Sequence, residues 1–369
     1  MHVSHSAVKE VHRAAKQLFA AVGLTSLVAL ASPAAAQTEC PKTGVQALTG
    51  AGSTFVFPLF SKMFNEYGKL CGISVNYQSI GSGGGIRQVQ EMTVDFGATD
   101  GPMTDQQKAQ AKGGEVIHVP VAAGSEAVVY NLPGIPSGTM KLTPDVVADI
   151  YLKKIDKWND PRIASLNPDI KLPDLDIAVV HRSDGSGTTF IWTNYLSKVS
   201  KEWADKVGFA TSVNWPGDIG GAGNEGVANQ VKQVPGGIGY VELAYAMQNK
   251  MPRAQIRNKA GKWVEPSLER TSVAADLPDL PDHMQVMFTD SANPEAYPIA
   301  GFVWMLVYEN QADAAKGTTV AQLAWWMLHD GQKYNAPLLY APIQGAALKK
   351  SEALLQKIKV NGKPALAMN

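Results

Sequence analysis

The chain is poor in the features that mark several protein classes. It has two cysteines in 369 residues, too few for a disulfide-dense scaffold. It has no surplus of either charge: 33 Lys and Arg stand against 33 Asp and Glu, so no basic excess points to nucleic acid. Beyond residue 36 no run approaches the roughly 18 consecutive apolar residues of a membrane span. No Gly is followed by Lys and then Ser or Thr, and no glycine-rich stretch completes a dinucleotide fingerprint, which demotes nucleotides. His, Cys, Asp and Glu show no metal-ligand spacing, so neither a metal nor a cofactor is expected.

What is present begins with an export signal. Lys9, Arg13 and Lys16 form a positive region, Leu18 to Ala31 an apolar stretch too short to span a bilayer, and Ala34-Ala35-Ala36 a small-residue cleavage site. Residues 1–36 are therefore read as a signal peptide, with the remainder exported. Gln37-Thr38-Glu39 is too polar to precede a lipid-modified Cys40. Cleavage leaves 30 basic against 32 acidic residues, a net charge of −2, so an anion ligand would need a local site rather than a general field. In an oxidising compartment Cys40 and Cys71 are either bonded or two separate thiols. Cys40 precedes the first expected strand, and Cys71 ends the helix that follows it, but sequence does not give their separation.

From Val45 onward short apolar runs alternate with helical patterns, the mark of an α/β fold. Leu59, Phe60, Met63, Phe64, Tyr67 and Leu70 recur at helical spacing, with Pro58 suited to the first turn and Gly72 to the C-terminal cap. Ser74 to Tyr77 and Val94 to Ala98 read as strands and Ile86 to Met92 as a short helix. Thr143-Pro144 opens a helix to about Lys153. Ile177 to Val180 is a buried strand, followed by a helix with Ile191, Trp192, Tyr195, Leu196 and Val199 on one face. Pro and Gly mark loops at Leu132 to Gly138 and Leu277 to Pro281. A mature chain of this size divides into two lobes. Apolar segments around Val119 to Tyr130 and Pro298 to Val307 are expected to cross between them. Residues 37–124 and 299–369 then make the first lobe and 125–298 the second, each a mostly parallel sheet flanked by helices.

Three junctions between strand and helix are rich in Gly, Ser and Thr: Gly50 to Phe55, Gly81 to Gly85, and Asp184 to Thr189. Unpaired N–H groups and the positive end of the helix dipole make such junctions anion sites when small residues permit close approach. A single junction is as well explained by a tight turn and a cap; three together favour a shared ligand. Arg182 precedes the third, and its planar fork matches tetrahedral oxyanions, with Asp184 placed to orient it. Asp100 follows the small residues Gly97, Ala98 and Thr99, where a carboxylate beside an anion should repel it. The position makes sense if the ligand keeps a proton for Asp100 to accept, as phosphate does near neutral pH and sulfate does not.

These stretches carry a resemblance. Leu48 to Phe55, Ile80 to Gly84, Val94 to Asp100, Ile177 to Thr188 and Gly236 to Glu242 are similar to motifs of the periplasmic phosphate-binding proteins of the phosphate-specific ABC transporter. The likeness covers most of the chain to about Gln248 and is looser beyond. It implies a Venus-flytrap fold of two lobes, high-affinity capture of inorganic phosphate, and delivery to the transmembrane permease subunits of an ABC importer, by a monomer with no cofactor. It implies ligand contacts from Thr54, Phe55 (through its N–H), Ser82, Asp100 as proton acceptor, Arg182 oriented by Asp184, and Ser186, Gly187 and Thr188. Ser53 stands where Ala is common, Thr99 where Ser is common, and His181 where a basic residue is common; none removes a donor.

Rival readings are a phosphatase or serine hydrolase acting through Ser186, a sulfate or molybdate receptor, and an adhesive protein. Gly185-Ser186-Gly187 lacks the full nucleophile elbow, and His118, His181, His283 and His329 stand in no catalytic motif, so catalysis is not expected.

Overall fold

The computed structural model describes residues 40–217 and 219–366; the expected signal peptide lies outside them. Eight strands form the main sheet: β1 (Ala47–Gly52), β2 (Ser74–Ser79), β3 (Phe96–Thr99), β4 (Val116–Tyr130), β5 (Ala178–Arg182), β6 (Ile219–Gly221), β7 (Gly237–Glu242) and β8 (Ala300–Tyr308). Their order is β2-β1-β3-β8-β4-β7-β5-β6. Strand β1 runs parallel to β2 and β3, and β5 runs parallel to β6 and β7. The long central strands β4 and β8 run antiparallel to each other and to the neighbours that flank them.

Both central strands are buried along their whole length, as their near-continuous apolar sequences require. Strand β4 changes partner within itself: residues 116–125 pair with β8 and residues 126–130 with β7. Just before the change, Gly124 lies opposite Gly301. A Cβ on Gly124 would fall 2.3 Å from the Phe55 ring, and one on Gly301 would fall 2.6 Å from Ile191. Strands β4 and β8 are thus reduced to bare backbone where Phe55 and Ile191 pack on them.

Four helices start near the carboxyl ends of the parallel strands: α1 (Phe57–Cys71), α2 (Ser82–Gln90), α3 (Gly187–Val199) and α4 (Gly223–Gln233). Helix α1 buries the predicted Leu59, Phe60, Met63, Phe64 and Tyr67 and ends on Gly72 at φ 69°. Leu70, by contrast, is exposed. Cys71, at the helix end, is bonded to Cys40 with a Cα separation of 5.3 Å, which settles the question left open by the sequence. Helix α3 packs Trp192 against Tyr240 and Tyr151; burying a large apolar side chain of this kind contributes roughly 1.5–3 kcal/mol.

Helix α2 begins four residues earlier than the expected Ile86, so Gly83, Gly84 and Gly85 are helical. Their poor helix propensity is overridden by space. A Cβ on Gly85 would lie 2.4 Å from the Cα of Gly52, and one on Gly83 would lie 3.0 Å from the Cα of Gly185.

Candidate functional site

The site starts from backbone that only glycine allows. Gly52 ends β1 at φ 142°, where a Cβ would sit 2.1 Å from the Ala98 carbonyl. That close approach carries Ser53 alongside β3, and its N–H donates to Ala98 at 2.9 Å. Ser53 Oγ then donates to Asp100 Oδ1. Ser82 Oγ, at the first position of α2, lies 3.4 Å from Asp100 Oδ2 and accepts the Asp100 N–H at 3.3 Å. Asp100 is 1% exposed. Burial pushes its pKa up to about 7, although the hydroxyls of Ser53 and Ser82 and the charge of Arg182 oppose the rise. It is a carboxyl group poised to change protonation near neutrality.

Arg182, at the end of β5, is 3% exposed. Its Nε and Nη2 donate to the two oxygens of Asp184 at 2.8 and 2.5 Å, a planar two-point pairing. Nη1 donates to Thr188 Oγ1 at 3.2 Å. Burial works against the charge of both partners, yet the pairing wins: the Arg182 pKa is raised and the Asp184 pKa lowered. Asp184 Oδ1 also accepts the N–H of Gly223, the first residue of α4. Ser186 caps α3, its Oγ accepting from the Thr189 N–H at 3.0 Å.

Loops distant in sequence meet here. The Gly83 N–H donates to the Gly185 carbonyl at 2.9 Å. A Cβ on Gly187 would lie 2.4 Å from Asp100 Oδ2 and 2.5 Å from Ser82 Oγ. Any side chain at 187 would therefore occupy the space beside the carboxyl group. Thr54, Ser82, Asp100, Arg182, Asp184, Ser186, Gly187 and Thr188 accordingly gather at one buried locus. Phe55 adjoins it, with its ring on Gly124 and its carbonyl accepting from Tyr340 Oη at 2.6 Å.

Asn224 was absent from the sequence reading. Its Nδ2 donates to Thr54 Oγ1 at 2.9 Å and to Thr188 Oγ1 at 3.1 Å, tying the two sides, while its Oδ1 accepts the Glu242 N–H at 2.8 Å. The signal existed: Gly220-Gly221-Ala222-Gly223-Asn224 is a fourth junction of small residues between strand and helix, of the same kind as the other three.

The locus offers hydroxyls, helix N-termini, a guanidinium neutralised by its own carboxylate, and a second carboxyl group. That set suits a tetrahedral oxyanion bearing a proton. Among the described residues no histidine is hydrogen-bonded to the hydroxyls of the locus. His118 accepts from the Met103 N–H, His181 faces the carbonyls of Arg182 and Gly217, His283 accepts from the Gln285 N–H, and His329 faces Trp325 and Glu352. No group of three His, Cys, Asp or Glu residues placed to hold a metal occurs among the described residues.

Comparison with known proteins agrees with this chemistry. The PBP superfamily domain matches residues 31–330. A phosphate-binding protein PstS of Xylella fastidiosa is 45% identical over 323 residues, covering 87% of this chain and 86% of the relative. The phosphate-binding protein PstS of Pasteurella multocida is 44% identical over 313 residues, covering 84% and 90%. Among solved structures, a high affinity periplasmic phosphate-binding protein bound with phosphate shares the fold at TM-score 0.68 and 20% identity, covering 83% of this chain and 93% of that one. The chain belongs to the PBP superfamily and, within it, to the family of PstS phosphate-binding proteins.

Proposed function

We propose that this protein captures inorganic phosphate in the periplasm and hands it unchanged to the permease subunits of an ABC importer, acting as a monomer. Support comes from the relatives and from the chemistry of the buried locus. Thr54, the Phe55 N–H, Ser82, Arg182, Ser186, Gly187 and Thr188 act as donors, Asp184 fixes the guanidinium, and Asp100 accepts a ligand proton. The lobes, residues 37–124 with 299–369 and residues 125–298, close about β4 and β8. The partner change of β4 at Ser125 and Glu126 supports a flexing point there. Among the described residues no helix is long and apolar enough to cross a membrane.

The observation that carries the reading is Asp100, a buried carboxyl group held by two serine hydroxyls beside a glycine that leaves room for a ligand. A fully ionised anion meets repulsion there, whereas a protonated one donates a hydrogen bond. Titration calorimetry of Asp100→Asn with phosphate and sulfate tests it. The ratio of the two affinities should fall by at least tenfold; an unchanged ratio removes Asp100 from selection.

A further inference from the structure

The crossing strand carries a second buried carboxyl group that the capture scheme does not use. Glu126 is 0% exposed, and neither carboxyl oxygen has a hydrogen-bond partner. It lies directly opposite Glu242 on β7, at the residue where β4 changes partner. Glu242 is also fully buried, but its Oε2 accepts from the Ala244 N–H at 2.8 Å and lies 3.0 Å from Tyr340 Oη. The ionisable groups whose fields meet at Glu126 come from several elements. They are Asp100 after β3, Arg182 on β5, Glu242 and Tyr240 on β7, Tyr151 on the helix Pro144–Tyr151, and Tyr297 before β8. Arg182 is the one cation among them, and it is paired with Asp184.

A buried carboxylate with no donor costs several kcal/mol and takes up a proton instead. Burial first, then the negative fields of Asp100 and Glu242, hold the Glu126 pKa well above the carboxylate range, against the opposing field of Arg182. Once Glu126 ionises, its charge, that of Asp100 and that of a bound anion all share one guanidinium that is also paired with Asp184.

We propose that Glu126 is a positioning residue for the charge state of the site: it stays a neutral acid while the anion is bound, and its ionisation sets the upper pH limit of capture. It acts through the charge of Asp100, by keeping that carboxyl group free to accept the ligand's proton. This inference rests on the phosphate reading.

The test compares wild type with Glu126→Gln, which has the shape of the neutral acid and cannot ionise. Calorimetry with inorganic phosphate at pH 6, 7, 8 and 9 gives the ratio of affinities, from which the ligand's own ionisation cancels. The two proteins should agree within about twofold at pH 6, and the variant should bind progressively tighter than wild type as pH rises, by up to about tenfold for each pH unit past the ionisation. A ratio that stays flat with pH overturns the proposal, as does a variant weakened equally at every pH. Infrared difference spectra of phosphate-loaded protein at pH 7 give a second reading. A protonated-carboxyl band present in wild type and missing from Glu126→Gln is expected, and identical spectra overturn the proposal. Wild type that binds no phosphate even at pH 6 defeats the capture reading itself, a separate outcome.

Discussion

The two sides of the site hold their carboxyl groups in opposite ways. On the second side Asp184 is locked to Arg182 by two hydrogen bonds, so both stay charged and the pair carries no net charge. On the first side the Asp100 carboxyl group is held by the hydroxyls of Ser53 and Ser82, and burial moves its pKa to about 7. One side is a fixed dipole and the other a proton acceptor with adjustable charge. A tetrahedral ion held between them can be gripped by the first arrangement and selected by the second. The division shows why a receptor for an anion needs little net positive charge: orientation of donors replaces charge excess.

Removing the guanidinium breaks the fixed side and should have the largest effect. Arg182→Ala deletes the charged donor and leaves Asp184 with backbone amide contacts, that to Gly223 among them. Hydrogen bonds to charged groups contribute roughly 1.5–3 kcal/mol each, so phosphate affinity should fall by about 10² to 10⁴-fold at constant pH. Calorimetry checks this, and wild-type affinity would remove Arg182 from the binding set.

The adjustable side is probed next, by stability without ligand. An acid with a raised folded pKa keeps a proton that the unfolded chain releases. Its stabilising contribution is complete below the unfolded value of about 3.9 and is lost as pH rises through the folded value. With the Asp100 pKa near 7, the loss runs from about pH 4 to pH 7 and amounts to about 4 kcal/mol. Denaturant titrations of wild type and Asp100→Asn across this window should diverge, the variant being flatter. Parallel curves would show that Asp100 is ionised throughout.

Much of this division was legible in the sequence, because its parts are local. Gly, Ser and Thr at strand ends, Arg182 two residues from Asp184, and a lone Asp after small residues all fall within single loops. The α/β pattern and the two long apolar strands were equally plain, since burial on both faces leaves a continuous apolar run. What escaped depends on contacts distant in the chain. Asn224 joins Thr54 to Thr188 across separations of 170 and 36 residues. Glu126 is an acidic residue inside a largely apolar strand, an anomaly like the one that singled out Asp100, but its surroundings come from β3, β5 and β7 and could not be read locally. The early start of α2 was hidden because glycine propensity argues against a helix, and only the close approach of Gly52 and Gly185 reverses it.

The sides also differ in covalent bracing. The first carries the Cys40–Cys71 bridge, and no free cysteine occurs among the described residues. The bridge closes a loop with a sequence separation of 31, for which chain entropy gives about 3–4 kcal/mol. Cys71→Ser, paired with Cys40→Ser to avoid a stray thiol, should lower unfolding free energy by about that amount. Phosphate affinity should change little, because the bridge joins the far end of α1 from the site. A large loss of affinity in the folded variant would show that bracing, as well as donor chemistry, distinguishes the two sides.

The smallest effect should come from Asn224, which belongs to neither arrangement but ties them together. Its Nδ2 shares two hydroxyl acceptors from opposite sides, and its Oδ1 is anchored on the Glu242 N–H. Asn224→Ala removes these bonds while leaving Asp184 paired with Arg182 and Asp100 held by its serines. At roughly 0.5–1.5 kcal/mol for a neutral hydrogen bond, affinity should fall by about three- to tenfold. The ratio of phosphate to sulfate affinity should hold, since the proton acceptor is untouched. Measuring both ions separates grip from selection. If Asn224→Ala narrows the ratio as much as Asp100→Asn does, the two sides do not act independently and the division drawn between them fails.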